Sequence, residues 1–417
     1  MLAGASMSNY LTRPLSLSSQ FSHCALPLRL DSYRGCGFSC TYCFARTRGG
    51  NVQTHRIVPA NAKTLRNIFL RADGGYSSGI IHQLLRRRVP IHFGGMSDPF
   101  QPRERRDRIS FEFLCELKDR CYPTVIFLPT EKPYFDLLSS GWPVIVQFSV
   151  TSTEDKRASH VEPHATPPSV LLRTMESLAR AGVIVTCRWQ PFIENLVEDP
   201  LVYVRRIAEA GASHVSLEHL KIPVERSSRT ENEGDFSISN LRERYRRQGM
   251  LLDGREYVLE PAKKFANAIS VRKIAHRHGM TFGAGDNELQ FLSDGEACCS
   301  GVDRFRGFEN VFKHQIALAV KRGTKDGTIT IQSISDEWAP VGSIDRYLNS
   351  KTRISPRLNL QGSVTDHVRY RWDNLNSSEN PSRFLGVTVS NERDRTGARV
   401  FEFHLDRFKE ASSRRSM

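Results

Sequence analysis

Short apolar runs alternate with amphipathic stretches over the first 300 residues, and this alternation limits the fold more than any other feature. The apolar runs predict strands over 27–33, 90–95, 124–128, 144–150, 183–190, 213–217 and 281–285. The amphipathic stretches predict helices over 61–71, 77–88, 109–120, 133–139, 169–181, 200–210 and 268–278. Repeated strand–helix pairs form parallel β/α units, and right-handed crossovers curl such units into a full or partial barrel. We therefore expect an α/β fold whose chemistry lies on the loops after the strands.

Two segments interrupt this rhythm. Residues 221–240 are polar and rich in Ser, Glu and Asn, which predicts an exposed insertion. Beyond residue 301 the alternation ends, and two runs at 384–390 and 399–406 predict a β-hairpin. The predicted organisation is an arm over 1–26, a barrel over 27–300 and an α+β C-terminal extension over 301–417.

Charge and cysteine content narrow the class of protein. The 59 Lys and Arg residues exceed the 45 Asp and Glu residues, so the net charge is +14 and suggests an anionic partner such as nucleic acid. No apolar run reaches the roughly 18 residues of a membrane helix, and the N-terminus lacks the pattern of a secretory signal. With nine cysteines, an odd number, we expect a cytoplasmic protein without membrane contact whose thiols are free to bind metal.

Three cysteines lie close together in the segment GCGFSCTYCFAR, directly after the first predicted strand. Cys36, Cys40 and Cys43 can ligate three irons of a 4Fe-4S cluster and leave the fourth iron open. An open iron is what the reductive cleavage of S-adenosylmethionine requires. A structural zinc site is the alternative, but zinc needs four ligands and His55 is the nearest candidate for the fourth. Three unligated core cysteines are a further alternative, which the surrounding glycines disfavour.

The same segment resembles the signature of the radical SAM superfamily, which has an aromatic residue before the last cysteine, here Tyr42. Within it, the chain resembles the spore photoproduct lyase-like branch through SYRGCGFSCTYCFAR, GGMSDPFQPRE over 94–104, and residues 147–183. This resemblance implies a partial (β/α)6-type TIM barrel, a 4Fe-4S cluster, S-adenosylmethionine and an electron donor of the flavodoxin or ferredoxin type. It also implies formation of a 5′-deoxyadenosyl radical.

The loop after the second predicted strand contains further candidates for binding S-adenosylmethionine. In the resembled family this loop holds the methionyl amino group, which implies binding roles for Gly94, Gly95, Ser97 and Asp98. A glycine pair also lets backbone approach a ligand closely. A plain strand-to-loop turn is the alternative, because Ser-Asp-Pro is favourable turn chemistry.

Polar residues alternate with apolar residues in the fourth and fifth predicted strands. Ser149 and Thr151 share a face with Gln147, and Arg188 lies on the corresponding face of the next strand. Their hydroxyls could contact the ribose or carboxylate of S-adenosylmethionine, and the Arg188 guanidinium could hold the carboxylate. A buried polar network that only satisfies the barrel interior is the alternative.

Two further groups of residues have predicted roles. Glu162 could pair with Arg173 to order the loop between them. Cys298 and Cys299 could donate a hydrogen atom near the radical, as a thiol does in spore photoproduct lyase, or could simply be small buried residues.

Arginine-rich segments at 86–88, 103–108 and 242–247 could bind phosphates, with Tyr245 stacking on a base. A solvated helix face is the alternative. The leading hypothesis is a radical SAM enzyme, of lyase or transferase type, acting on a lesion or modified base in nucleic acid. A peptide or small metabolite is the alternative substrate, and a zinc- or cluster-stabilised nucleic-acid-binding protein is the alternative without catalysis.

Overall fold

The computed structural model describes residues 11–18, 20, 22–38, 40–43, 57–75, 79–127, 132–194, 196–224, 237–253, 256–296, 299–334, 336–341, 344 and 363–404. The strands are β1 (Leu15–Leu17), β2 (Leu28–Leu30), β3 (Tyr33–Arg34), β4 (Val58–Pro59), β5 (Ile91–Phe93), β6 (Thr124–Phe127), β7 (Val144–Ser149), β8 (Ile184–Phe192), β9 (His214–His219), β10 (Ile222–Pro223), β11 (Met250–Asp253), β12 (Glu256–Leu259), β13 (Thr281–Ala284), β14 (Thr328–Ile329), β15 (Val387–Arg393) and β16 (Arg399–Phe403).

The α-helices are α1 (Lys63–Asp73), α2 (Ile80–Arg86), α3 (Glu104–Asp107), α4 (Ile109–Asp119), α5 (Lys132–Leu138), α6 (Asp155–Ser159), α7 (Pro168–Arg180), α8 (Pro200–Glu209), α9 (Ile238–Arg247), α10 (Pro261–Arg277), α11 (Ile316–Asp326) and α12 (Val364–Asp373). Short 3-10 helices lie between several of these elements. All seven predicted strands and all seven predicted helices are confirmed. The helix predicted from residue 268 begins earlier, at Pro261, because proline is favourable at the first helical position.

The centre of the fold is an eight-stranded sheet in the order β1-β2-β5-β6-β7-β8-β9-β13. From β2 to β13 each strand is parallel to its neighbours and follows the previous one along the chain, as repeated β/α units require. β1 pairs with β2 in the antiparallel sense, with Leu15 opposite Leu30. Part of the predicted N-terminal arm therefore belongs to the central sheet.

The two faces of this sheet differ in chemistry. One face bears Val146, Phe148, Val185 and Leu217, which pack into the main hydrophobic core with residues of the helices, and is here named the helix face. The other face bears the alternating residues of the same strands, among them Gln147, and is here named the polar face. The alternation predicted for the fourth strand is thus confirmed.

The remaining strands form smaller sheets beside the central one. Strands β10, β12 and β11, which come after β9 in the chain, form a three-stranded sheet in the order β10-β12-β11. Residues 225–236 of the predicted insertion lie outside the described residues. The order β14-β16-β15 contains the predicted C-terminal hairpin, with Val389 opposite Phe401. Among the described residues no helix is both long enough and apolar enough to cross a membrane.

Candidate functional site

The cysteine loop lies at the carboxyl edge of the central sheet. β2 ends at Leu30, and the short strand β3 leads from it into the loop that contains Cys36, Cys40 and Cys43. The loop after β5 begins at Gly94 and leaves the same edge, because β2 and β5 are parallel neighbours. Two of the sequence motifs are therefore neighbours in space, as parallel strand ends must be.

The three thiols of the loop are partly buried and influence one another's ionisation. Burial raises the pKa of Cys36 to about 11, and the negative charge of Asp98 adds to this rise. Burial also raises the pKa of Cys40, with further contributions from the charges of Glu162, Cys43 and Cys36. The cysteines that the structure describes are all free thiols. A bound cation would reverse this preference for the neutral form, because a metal ligates the thiolate.

The three thiols of the cysteine loop are the candidate ligands of a metal site. In the described part of the chain no three His, Cys, Asp or Glu side chains converge on a metal position. The thiols of Cys36, Cys40 and Cys43 nevertheless come from one loop, are partly exposed and act on one another electrostatically. Three sulfur donors suit an iron–sulfur cube with one open iron, whereas a closed zinc site needs a fourth ligand, and His55, the candidate for it, lies outside the described residues.

Gln101 braces the cysteine loop on both sides of Cys36. Its Oε1 accepts a hydrogen bond from the backbone N–H of Gly37 at 3.1 Å, and its Nε2 donates to the carbonyl of Gly35 at 3.0 Å. The Gln101 side chain is completely buried. Sequence reasoning missed this role, although Gln101 lies within the 94–104 motif.

A second set of contacts joins the start of the 94–104 motif to β2 and β3. Asp31 Oδ1 accepts from the backbone N–H of Met96 at 2.8 Å, and its Oδ2 lies 3.1 Å from Arg29 Nε. The hydroxyl of Ser97 donates to the carbonyl of Tyr33 at 2.7 Å and is buried. The structure therefore uses Ser97 to hold the loop, whereas its predicted contact with a ligand stays a prediction.

The other candidates in this loop shape its turn. Gly94 has a φ of +98°, and a Cβ there would lie 2.8 Å from Pro99 Cδ. A Cβ on Gly95 would lie 2.3 Å from Arg29 Cδ, so this glycine makes room for the arginine. Asp98 Oδ1 accepts from the backbone N–H of Phe100 at 2.7 Å, and burial raises the pKa of Asp98 to about 6. Turn formation thus accounts for the residue types, and binding by Gly94, Gly95 and Asp98 stays a prediction.

Glu104, at the end of the same motif, is a buried carboxylate surrounded by donors. It accepts hydrogen bonds from the hydroxyls of Tyr33 and Tyr134 at 2.5 and 2.7 Å. The backbone N–H groups of Ser110 and Phe111 also donate to it, each at 3.0 Å. Because Tyr33 lies three residues before Cys36, this network fixes the strand that leads into the cysteine loop.

Tyr42 and Thr151 meet at Glu162. The Tyr42 hydroxyl donates to Glu162 Oε1, and the Thr151 hydroxyl donates to Oε2 at 3.1 Å. Burial raises the pKa of Glu162 to about 7. The predicted pairing of Glu162 with Arg173 is wrong, because hydroxyl groups occupy the carboxylate and Arg173 lies exposed on α7. The loop between α6 and α7 is held instead by Tyr42 of the cysteine loop, through its hydrogen bond to Glu162.

Ser149 and Arg188 are brought together on the polar face, as register partners in β7 and β8. The Ser149 hydroxyl donates to the carbonyl of Gln190 at 3.2 Å. The Arg188 Nη2 lies 3.4 Å from Glu218 Oε2, and its guanidinium lies 5.9 Å from the centroid of the Phe127 ring. Glu218, missed in the sequence, also lies 2.6 Å from Lys221 Nζ.

Cys299 packs on the polar face beside β9 and β13. Its carbonyl oxygen is 2.7 Å from Nε2 of His214, the first residue of β9, and a Cβ on Gly283, the third residue of β13, would lie 1.9 Å from the same oxygen. Its side chain packs against the apolar cluster that contains Val125 and Ile145. The role of Cys299 as a hydrogen-atom donor stays a prediction, and Cys298 lies outside the described residues.

The arginine-rich segment 242–247 forms α9, and part of it is engaged within the protein. Arg246 and Arg247 both pair with Glu243, at 2.6 and 3.3 Å. Arg242 donates to the carbonyl of Pro223 at 2.8 Å. The predicted stacking of Tyr245 on a base is wrong, because its ring is buried and its hydroxyl donates to the carbonyl of Leu220 at 2.9 Å.

Comparisons with known proteins show partial similarities. No family model matches the chain. Uncharacterized proteins of Mycobacterium tuberculosis (strain H37Rv) and Mycobacterium bovis are each 26% identical over 208 residues, which cover 46% of this chain and 59% of theirs. The chain thus matches less than two thirds of the length of these curated relatives.

Two solved structures superpose on part of this chain. Spore photoproduct lyase complexed with dinucleoside spore photoproduct superposes with a TM-score of 0.46 and 15% identity, over 65% of this chain and 79% of that chain. Streptococcus suis SuiB bound to S-adenosylmethionine superposes with a TM-score of 0.35 and 14% identity, over 56% of this chain and 47% of that chain.

Proposed function

We propose that the chain is a radical SAM enzyme built on a partial (β/α)6-type TIM barrel, with Cys36, Cys40 and Cys43 as the ligands of a 4Fe-4S cluster. The observation that carries this proposal is the cysteine loop itself: three thiols with the signature spacing, at the carboxyl edge of a parallel sheet, braced on both sides of Cys36 by the buried Gln101. When bound, the cluster supplies the electron that cleaves S-adenosylmethionine to methionine and a 5′-deoxyadenosyl radical.

The residues beside the loop suit the polar ends of S-adenosylmethionine. Gly94 and Gly95 turn the chain into the loop beside the cysteines, and Asp98 of that loop provides a carboxylate for an ammonium group. Arg188 is the partner for a carboxylate. Its 3.4 Å contact with Glu218 is long, and Glu218 keeps Lys221 at 2.6 Å when the guanidinium turns to a ligand. The arginine can therefore change partners without leaving Glu218 unpaired.

Tyr42, Ser149 and Thr151 complete the proposed cofactor site. Glu162 engages the hydroxyls of Tyr42 and Thr151, so these two residues shape the wall of the site through that carboxylate. The electron donor that we propose is of the flavodoxin or ferredoxin type, in the reducing cytoplasm where free thiols persist. The proposed substrate is nucleic acid, which the net charge of +14 supports.

Anaerobic reconstitution with iron and sulfide tests the proposal. We expect about four irons per chain and 5′-deoxyadenosine formation under dithionite. Exchange of Cys36, Cys40 or Cys43 for Ala should abolish the product. Cys115→Ala, a change on α4 outside the cysteine loop, is the matched control and should retain it. One tightly bound zinc per chain and no nucleoside product would contradict the proposal.

The substrate needs a separate measurement. Binding of the reconstituted enzyme to single-stranded and duplex DNA should weaken as salt rises, because released counterions drive such binding. Binding that is insensitive to salt, or no binding at low salt, would refute a nucleic-acid substrate while leaving the radical chemistry intact.

A further inference from the structure

Three consecutive arginines lie at the amino edge of the central sheet. Arg86 is the last residue of α2, and Arg88 lies three residues before the start of β5. Arg86, Arg87 and Arg88 are all exposed. The cysteine loop follows the carboxyl end of β2, which is the parallel neighbour of β5, so the two features lie at opposite edges of the sheet. Any role of these arginines is therefore separate from the cysteine loop.

Neutral partners hold the first two of these side chains. The Arg86 Nη1 donates a hydrogen bond to the carbonyl of Ala72, at the end of α1, at 3.3 Å. The Arg87 guanidinium lies 5.9 Å from the centroid of the half-buried Trp338 ring. A carbonyl or an aromatic ring orients a guanidinium but leaves its positive charge uncompensated.

The third side chain is held in the same way. The Arg88 guanidinium donates to the carbonyls of Arg120 and Cys121, and it lies 5.4 Å from the centroid of the Tyr122 ring. These residues immediately precede β6, the parallel neighbour of β5, so Arg88 joins two successive β/α units at the amino edge. Three ordered guanidinium groups thus stand side by side.

A fourth cation belongs to the same surface. Burial lowers the pKa of His82 in α2, and the charges of Arg86 and of Arg71 in α1 lower it further. Both arginines therefore lie close to the same imidazole. The arginine surface is here defined as Arg71, Arg86, Arg87 and Arg88.

Carboxylates do not neutralise this surface. Asp73, at the end of α1, pairs with Arg120 at 2.5 Å. Glu337, beside Trp338 in the chain, is exposed and forms no ion pair with these arginines. In the described part of the chain no carboxylate pairs with Arg87 or Arg88. An uncompensated array of this kind attracts a polyanion.

The geometry of the surface selects the kind of polyanion. A guanidinium whose orientation is fixed suits the two oxygens of a phosphate, which it can bind through parallel hydrogen bonds. The Trp338 indole and the Arg87 guanidinium also offer flat groups on which a base stacks. Bases present their faces to such groups in single strands, whereas a duplex keeps them stacked inside.

We propose that the arginine surface binds the sugar–phosphate backbone of single-stranded nucleic acid, with a base stacked beside Trp338 and Arg87. This inference goes beyond the proposed function, because the surface lies at the edge opposite the cysteine loop and needs neither a cluster nor S-adenosylmethionine. It is a holding site for a strand, separate from the place of reaction.

The salt dependence of binding tests the arginines. Fluorescence anisotropy of a labelled oligothymidylate of about 15 nucleotides measures the binding constant of the full-length chain. For Arg87→Gln with Arg88→Gln, the slope of log K against log salt should shrink by about 1.4, at about 0.7 for each lost phosphate contact. Arg304→Gln with Arg306→Gln is the matched control, because these arginines are exposed beside Val302 on the polar face. Equal slopes for the two double variants would overturn the proposal.

Two further variants separate charge from structure and stacking. Arg87→Lys with Arg88→Lys replaces both guanidinium groups but keeps both charges, so the slope should stay that of the unaltered chain. A slope reduced as far as in the Gln variant would assign the effect to structure and refute the inference. Trp338→Leu should weaken oligothymidylate binding about fivefold or more without changing the slope, since it removes a stacking group. Unchanged affinity in this variant would contradict the proposed stacking.

Competition experiments test the class of ligand. Poly-L-glutamate has negative charge without phosphate, and phosphatidylglycerol vesicles have phosphate without bases. Neither these two nor duplex DNA should displace the labelled strand as well as unlabelled oligothymidylate does, and equal displacement by any of them would overturn the proposal. Arg87→Gln with Arg88→Gln should retain 5′-deoxyadenosine formation under dithionite. Failure of this inference is therefore distinguishable from failure of the proposed function.

Discussion

Replacing Gln101 by Met is expected to loosen the cysteine loop without unfolding the protein. Met has the length of Gln but neither donor nor acceptor, so the hydrogen bonds at 3.1 Å to Gly37 and 3.0 Å to Gly35 are both lost. Each buried backbone group left unpaired costs about 1–3 kcal/mol, which gives about 2–4 kcal/mol after partial relaxation of the loop. That loss lowers the equilibrium constant between the ordered and the disordered loop by about 30- to 700-fold.

Iron release measures this effect. After reconstitution, the Gln101→Met variant should lose iron to a chelator at least about tenfold faster than the unaltered chain, since supporting residues commonly alter metal affinity by about 10–100-fold. Gln83→Met is a matched control, because Gln83 also bonds the N–H and the carbonyl of one residue, Val341, but on an exposed part of α2. Equal iron release from the two variants would show that Gln101 does not order the loop.

Three further predictions concern stability. Glu104→Gln should lower the free energy of unfolding by about 2–4 kcal/mol in urea denaturation, since an amide nitrogen then faces a backbone N–H; an unchanged midpoint would contradict this network. Gly94→Ala should lower the free energy of unfolding more than Gly182→Ala does. Both glycines have positive φ, so alanine at either position adds a backbone strain of about 1–3 kcal/mol. Only at Gly94 does the new Cβ also meet Pro99, 2.8 Å away. Burial raises the pKa of Glu379 to about 7, so stability should fall as pH rises from about 4.5 to 7 and then level off, by about 3 kcal/mol in total. Glu162 and Asp98, whose pKa values burial also raises, add to the dependence in this range. Glu379→Gln should therefore remove about 3 kcal/mol of it in denaturation series, and an unchanged pH profile would refute the assignment.

The strands and most helices could be predicted from the sequence because their signals are local. An apolar run such as 144–150 has the period of a strand within itself. The role of Gln101 could not be predicted, because its partners lie 64 and 66 residues earlier and meet it only when β2 and β5 pair. The pairing of Glu162 with Tyr42 was missed for the same reason, since the partners are 120 residues apart.

Cys299 shows a second limit of sequence reasoning. Its position soon after β13 suggested the carboxyl edge, where that strand ends. The chain instead folds back over the polar face within 15 residues, so that the Cys299 carbonyl meets His214 at 2.7 Å. A reversal of this kind has no local signal in the sequence. The reversal requires a glycine at position 283, because a Cβ there would lie 1.9 Å from the Cys299 carbonyl oxygen.

The segment that follows this reversal places apolar side chains at one edge of the polar face of the sheet. Val302 and Phe308, from the start of the predicted C-terminal extension, pack on Val125 and Ile145 at the amino edge of the polar face. Burying these side chains covers that edge with apolar surface, worth about 1.5–3 kcal/mol for each fully buried residue. The polar side chains of Ser149, Arg188 and Glu218 lie toward the other edge of this face, where the cysteine loop lies. The extension thus packs against the central sheet at the edge opposite the cysteine loop, and it belongs to the fold of the proposed barrel.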